Sequence, residues 1–330
     1  MAAETVPLLD VRSLTVERRT GWRRPVVRAV DDVSIQVHAG ETVGVVGESG
    51  AGKTTIGATV LGLVRPSAGE VRFAGEDITS ADGGRRRALS AEMQMIFQDP
   101  YSSLNPARTI GQTLAEPLLV HRRLGRGELA DSIGAMLTRV GLTPAAADRY
   151  PAQFSGGQRQ RVAIARALMI APRLVICDEP VSALDLSVQA QVLNLLRELQ
   201  AELSQTYLFI SHDLAVVRHV SHRIVVLYHG AVMESGPAQL VYGSPGHPYT
   251  QALLAAAPAP DPALQGVRRA ARVRRAAGGS EARWNGVGCR FAPRCPLALD
   301  VCRETAPALE PGPAGTLVAC HRRDEAVAGA

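Results

Sequence analysis

The chain has 330 residues, 46 % of them hydrophobic and 4 % aromatic, and a formal net charge of +5. That length holds one large α/β domain and a smaller appendage, with enough apolar residues for a sizeable core. No apolar run approaches the roughly 18–20 residues of a membrane helix, and no basic segment precedes an apolar one at the N-terminus. The sequence therefore predicts a protein made and kept in the cytoplasm, any membrane spanning being left to other chains.

Leu9, Val11, Leu14 and Val16 open a strand-rich stretch, and Val33, Ile35 and Val37 alternate with polar or small neighbours as a half-buried strand does. After the break at Gly40, residues 41–46 form a short apolar strand that runs into a glycine-rich turn and a helix-like run, Thr54–Val64. Val71 and Phe73 mark another strand. Met93–Phe97 is a further apolar strand, ending at Gln98. Residues 100–149 lose strand alternation and carry helix-like segments around Ile110–Val120 and Glu128–Val140, a helical insertion. A helix pattern over Gly157–Leu168 leads to Pro172.

Leu174–Cys177 is a continuous apolar strand, and Cys177 within it is a core residue. Val188, Val192, Leu195, Leu196, Leu199 and Leu203 share one helix face, most simply a packing stripe. Tyr207–Ile210 and Ile224–Tyr228 are buried strands, and His229-Gly230 a hairpin turn into Ala231–Met233. Strands alternating with helices predict a mainly parallel sheet covered on both faces. Beyond Pro245 the chain is rich in Pro, Ala and Arg. Its run of Arg268, Arg269, Arg272, Arg274 and Arg275 suits a linker or exposed helix, or a membrane- or phosphate-binding strip. The overall basic balance permits nucleic acid, membrane or phosphate-rich partners and selects none.

Gly47-Glu-Ser-Gly-Ala-Gly-Lys-Thr54 fits G-x-x-x-x-G-K-[ST] with a strand before it and a helix after. Gly47, Gly50 and Gly52 let the backbone wrap phosphate oxygens. Glu48, Ser49, Ala51 and Thr55 complete the loop and the first helical turn, whose N–H groups point at the anion. Lys53 is expected to reach the β- and γ-phosphates of ATP, and Thr54 to offer its hydroxyl to Mg²⁺. The apolar strand ending in Asp178-Glu179 delivers two carboxylates where α/β sheets bind ligands. Asp178 would support the Mg²⁺ shell, and Glu179 would orient and polarise the attacking water. Gln98 and His212 also follow apolar strands, so four strand ends converge on one nucleotide. Phe154-Ser155-Gly156-Gly157-Gln158 precedes a helix and forms a second anion site, which a single-site P-loop enzyme would not need.

With these motifs in this order, the sequence resembles an ATP-binding cassette (ABC) transporter ATPase over roughly residues 8–250. The Walker A loop is Gly47–Thr54, the Q-loop Gln98, the signature motif Phe154–Gln158, the Walker B strand ends at Asp178 and Glu179, the D-loop is Ser182–Asp185, and the switch histidine is His212. Phe154 stands where Leu is commoner. The resemblance implies a P-loop NTPase cassette with a mainly parallel sheet core, an antiparallel β subdomain and a helical subdomain (about residues 100–170). It implies a head-to-tail dimer, in which Ser155, Gly156, Gly157 and Gln158 contact ATP in trans. Catalysis would fall to Glu179, His212 and Gln98, and Mg²⁺ binding to Thr54, Gln98 and Asp178. Trp22, the only aromatic residue before position 70, would stack on adenine.

The stretches Val45–Gly50, Phe97–Pro106, Asp178–Asp185 and Gly246–Thr250 resemble the oligopeptide/dipeptide importer subfamily, with nickel and glutathione importers sharing the features. That implies two transmembrane permeases, a second cassette, identical or related, an extracytoplasmic solute-binding protein, and a peripheral place on the cytoplasmic membrane face. Residues 98–106 lie where such proteins meet the permeases. A soluble cassette acting on nucleic acid or ribosomes is the competing reading, and no nucleic acid is expected under the importer reading. The division is a cassette over 1–245 and an extension over 246–330. In the extension Cys289, Cys295, Cys302 and Cys320 cluster, pointing in a reducing compartment to metal more than to disulfides. Some relatives carry a four-iron–four-sulfur cluster there, and four thiols suffice for one. An iron–sulfur cluster, zinc and no metal all remain open.

Overall fold

The computed structural model describes residues 6–19, 26–99, 103–121, 124–256, 284–313 and 315–325. Trp22 and the arginine run at 268–275 lie outside the described residues. Strands β1 (Leu9–Arg19) and β2 (Val26–Val37) pair antiparallel, and β4 (Ala68–Phe73) and β5 (Glu76–Asp77) extend them into a four-stranded sheet of order β2-β1-β4-β5. The second sheet has eight strands. Its parallel part runs β9 (Arg223–Tyr228), β3 (Thr42–Val46), β8 (Thr206–Ser211), β7 (Leu174–Asp178) and β6 (Met93–Ile96). Beyond β9, β10 (Ala231–Pro237), β12 (Leu317–Val318) and β11 (Glu310–Pro311) continue the sheet antiparallel. This is the expected α/β cassette.

The continuous apolar strands are buried on both faces, and their alternation sorts side chains to two cores. Val43, Val45, Leu174, Ile176, Leu208 and Ile210 meet the four-stranded sheet and helices α1 (Lys53–Val60) and α2 (Gly83–Glu92). Val46, Val175, Cys177, Tyr207, Phe209 and Val226 face the other way. That second core takes in α3 (Ile110–His121), α4 (Arg126–Arg139), α5 (Gly156–Leu168), α6 (Leu186–Leu203), α7 (Leu214–Val220), α8 (Ala238–Gly243) and α9 (Pro248–Ala256). Each fully buried Leu, Ile or Phe in it is worth about 1.5–3 kcal/mol.

The helical stripe of α6 buries Val192, Leu195, Leu196 and Leu199, whereas Leu203 is 37 % exposed because the last turn projects past the core. The first helix stops at Val60, before the end of the apolar run that continues to Val64. The chain after Pro245 does more than link. His247, Tyr249 and Thr250 are buried at the start of α9, and Cys289, Phe291 and Cys302 belong to the second core. A short helix, α10 (Val301–Glu304), presents Cys302, and β12 joins the main sheet at Glu234 and Ser235.

Candidate active site at the strand ends

The loop between β3 and α1 is held tight by geometry that only glycine allows. Gly52 has φ 100°, and a Cβ there would lie 2.2 Å from the Ala29 carbonyl oxygen; at Gly47 a Cβ would meet the Leu227 carbonyl oxygen at 2.1 Å. The loop ends on the N-terminus of α1, which has no side-chain cap, so its first N–H groups are left for an anion. Lys53 is buried and its ammonium donates to the carbonyls of Gly47 (2.8 Å) and Glu48 (3.0 Å). Burial lowers the Lys53 pKa, against which the carboxylates of Glu179 and Asp178 act.

Three neighbouring strands bring the remaining groups to this loop. Asp178 closes β7, and its Oδ1 accepts a hydrogen bond from Thr54 Oγ1 at 2.9 Å. Burial raises its pKa. Glu179 follows with φ 46°, a strained left-handed backbone fixed by its own N–H donating to the Ile210 carbonyl at 2.9 Å. That turn aims the carboxylate at the phosphate loop: Oε1 lies 3.8 Å from Lys53 Nζ, and Oε2 accepts from Gln98 Nε2 at 3.1 Å. Oε2 also lies 3.0 Å from His212 Nδ1. An ionised carboxylate can only accept, so Nδ1 carries the proton in that pair. Glu48–Thr55, Gln98, Glu179 and His212 line one cleft of ≈ 720 Å³, with Arg18, Ala29 and Leu253 on its other walls.

Ser155, Gly156, Gly157 and Gln158 stand apart from this cleft. They start α5, where Ser155 is the N-cap and a capping box joins it to Gln158: Ser155 N–H donates to Gln158 Oε1 at 3.0 Å and Gln158 N–H to Ser155 Oγ at 3.4 Å. Ser155 is exposed, and Gly157 is buried against Val188. Phe154 is buried beneath the Arg149 guanidinium, 4.3 Å from its ring centroid. The apolar residue at this position thus anchors the turn from below.

Two residues that the sequence reading left without a role touch the phosphate loop. Tyr249 Oη accepts the Glu48 N–H at 3.0 Å, and Arg294 donates to both Glu48 carboxylate oxygens at 2.8 and 3.0 Å. Tyr249 lies in the Gly246–Thr250 stretch and Arg294 between Cys289 and Cys295. Position and motif alone gave neither a reason to reach residue 48.

The four tail cysteines line one small cavity together with His247, Phe291 and His321. None forms a disulfide. Each sulfur faces a backbone N–H, from Phe291 and Ala292 to Cys289, Leu297 to Cys295, Leu299 to Cys302 and Arg322 to Cys320. Burial raises the pKa of Cys289 and Cys320 and pushes Cys295 up to about 11, while these N–H groups act the other way. Among the described residues no group of three or more His, Cys, Asp or Glu side chains is already drawn in close enough to hold a metal ion.

Comparison with known proteins agrees with this geometry. A family model described as "ABC transporter" matches residues 30–182, and one described as "Oligopeptide/dipeptide transporter, C-terminal region" matches residues 233–302. The chain is 50 % identical over 327 residues to "Probable peptide ABC transporter ATP-binding protein y4tS" of Sinorhizobium fredii, covering 97 % of this chain and 91 % of that one. It is 47 % identical to the oligopeptide transport ATP-binding protein OppF of Salmonella typhimurium, over 92 % of each chain. Among solved structures, the dimeric post-hydrolysis state of the ATP-binding cassette MJ0796 with ADP and Pi superposes with a TM-score of 0.63 and 28 % identity. That match covers 70 % of this chain and 98 % of the other.

Proposed function

This chain belongs to the ABC transporter ATP-binding proteins, in the branch with the oligopeptide/dipeptide transporter C-terminal region, and from that premise we propose how it energises peptide import. It is an ATP-hydrolysing subunit of a peptide importer. The observation that carries the catalytic assignment is the convergence of Lys53, Gln98 and His212 on the Glu179 carboxylate. Glu179 accepts the proton of the attacking water, and Gln98 and His212 fix its Oε2 so that the carboxylate presents one geometry. Lys53 and the loop N–H groups hold the β- and γ-phosphates, and the residues work mainly by positioning and charge stabilisation.

Thr54 and Asp178 supply hard oxygen donors 2.9 Å apart, and Gln98, bonded to the adjoining Glu179, supplies an amide, a set that suits Mg²⁺. Mg²⁺ when bound neutralises phosphate charge. The Asp178 carboxylate, made costly by burial, is the natural partner for a cation. Glu179→Gln tests the assignment: turnover should be lost with nucleotide binding retained.

The exposed Ser155 cap at the head of a 13-residue helix is a second phosphate site. It supports a head-to-tail pair of cassettes in which Ser155, Gly156, Gly157 and Gln158 contact the partner's ATP. The second cassette is an identical or related chain. The membrane partners are two permeases, served by an extracytoplasmic solute-binding protein, with this subunit peripheral on the cytoplasmic face. A groove of ≈ 420 Å³ beside Gln98 has an apolar side formed by Leu61, Leu63, Met95, Phe97 and Val120 and a charged side with Arg86, Glu116 and Arg166, and it suits an amphipathic permease segment. Peptides are favoured over nickel or glutathione as cargo because both relatives above are named for peptide or oligopeptide transport.

We also propose that Cys289, Cys295, Cys302 and Cys320 ligate a four-iron–four-sulfur cluster. The four thiols line one small cavity, and four is the number of thiolates that would hold such a cluster. Backbone N–H groups point at all four sulfurs, and at Cys289, Cys295 and Cys320 they act against the burial that disfavours thiolate. An absorption spectrum and iron assay of anaerobically purified protein test this; a colourless, iron-free sample refutes it.

A further inference from the structure

A glutamate in a loop that must bind the polyanionic tail of ATP is an electrostatic conflict. A carboxylate a few ångströms from phosphate oxygens repels them, and at this position nothing in the loop itself neutralises it. Here the conflict is resolved from a distant part of the chain. Arg294, on the segment between Cys289 and Cys295, grips both Glu48 oxygens in a two-pronged pair. Glu48 in turn holds the guanidinium firmly in its charged form. The same arginine donates to Tyr228 Oη at 3.3 Å, and Tyr228 packs against Tyr249 with ring centroids 4.5 Å apart. Tyr249 is buried, also packs on Phe291, and receives the Glu48 N–H.

The loop is secured on its far side as well. Gly230 N–H donates to the Ala51 carbonyl at 2.9 Å, and Asp31 N–H to the Gly230 carbonyl at 2.8 Å. Arg290, four residues before Arg294, pairs with both the His229 carbonyl and the Asp31 carboxylate. Two arginines of the cysteine segment thus reach both ends of the Glu48–Ala51 turn, one directly and one through the 229–230 hairpin.

We propose that Arg294 is a positioning residue for ATP binding: with Tyr249 it draws the Glu48 carboxylate away from the phosphates and fixes the loop in its phosphate-binding shape. The inference rests on the reading that Gly47–Thr54 holds ATP. It makes the cysteine-bearing tail a working part of the nucleotide site. The pair is half-exposed, with side-chain exposures of 50 % and 42 %, so its effect is modest.

The test is equilibrium binding of a fluorescent ATP analogue to the full-length protein, with thermal melting run on every variant. Arg294→Ala should weaken binding about three- to tenfold with the melting temperature little changed. Adding Glu48→Gln to it should restore most of the affinity, because the unpaired carboxylate is then gone; a merely structural role for Arg294 would not be rescued this way. Arg294→Lys, which keeps the charge and loses the fork, should fall between and serves if the alanine variant does not fold. Unchanged affinity in Arg294→Ala, or no rescue in the double variant, overturns the proposal. Lys53→Ala is the control. If it binds nucleotide normally, the reading of the phosphate loop fails; if it loses binding while Arg294→Ala does not, only the present inference fails.

Discussion

Thr54 and Asp178, 124 positions apart in sequence, are joined by a 2.9 Å hydrogen bond from the threonine hydroxyl to Oδ1 of the aspartate. The bond fastens the start of α1 to the end of β7 and sets side by side the two oxygens proposed to hold Mg²⁺. Asp178→Asn should therefore raise the Mg²⁺ concentration needed for half-maximal ATPase by about 10- to 100-fold, the range for losing a group that holds or orients a metal. Magnesium titration of the variant checks this, and an unshifted midpoint removes Asp178 from the site.

The same residue predicts a stability effect of opposite sign. Burial raises the Asp178 pKa in the folded protein, so the native state holds its proton more tightly than the unfolded chain does. Stability from that preference is present below the ordinary aspartate range and is lost as pH rises through the raised folded value. At neutral pH the buried charge is a cost, and Asp178→Asn should melt higher than the parent in metal-free buffer. The gain should shrink as the pH is lowered into the acidic range. Melting curves across pH read this directly; an asparagine variant less stable at neutral pH contradicts it.

Glu179 is the next test. Its carboxylate, with Gln98 and His212 on one oxygen, is placed to take a proton from water. Glu179→Gln should lower turnover by about 10²–10⁴-fold, the contribution of a positioned general base. Nucleotide binding should survive, since Lys53 and the loop N–H groups are untouched. Near-normal hydrolysis in this variant would move the base elsewhere.

Ser155 permits a variant that separates folding from assembly. Aspartate is as good an N-cap as serine, whereas alanine costs about 1 kcal/mol. Ser155→Asp should keep α5 intact and place a negative charge where the partner's phosphates are proposed to lie. ATP-dependent dimerisation, followed by size-exclusion chromatography in the hydrolysis-deficient Glu179→Gln background, should then be abolished while monomer nucleotide binding persists. Dimers that form as before would place the shared site elsewhere.

How much of this was legible before the fold was known depends on the range of the determinants. The phosphate loop is local: its glycine spacing, strand and helix are contiguous, so Gly47–Thr54 could be read directly. Gln98, Glu179 and His212 were readable because each follows an apolar strand and a parallel sheet gathers such ends at one edge. Helix α2 gave no signal, since Leu89 is its only buried residue and no stripe results. The contacts of Glu48 with Tyr249 and Arg294 span 201 and 246 positions. No pattern of spacing reports such pairings; only the packing of Tyr228, Tyr249 and Phe291 brings them together.

The permease reading has its own test in the groove beside Gln98. Leu63 is 68 % exposed, Val120 64 % and Phe97 43 %. Apolar side chains left this open around one groove are the ones a docked permease segment would cover. Leu63 is exposed in this chain alone, so Leu63→Asp should change stability by less than about 0.5 kcal/mol. Affinity for the fluorescent ATP analogue should match the parent, because the groove does not include the phosphate loop. With the permeases co-expressed, recovery in the membrane fraction should fall sharply, and ATPase activity of the purified assembly with it. Full recovery of a Leu63→Asp, Val120→Asp double variant with the permeases would show that they dock on another face.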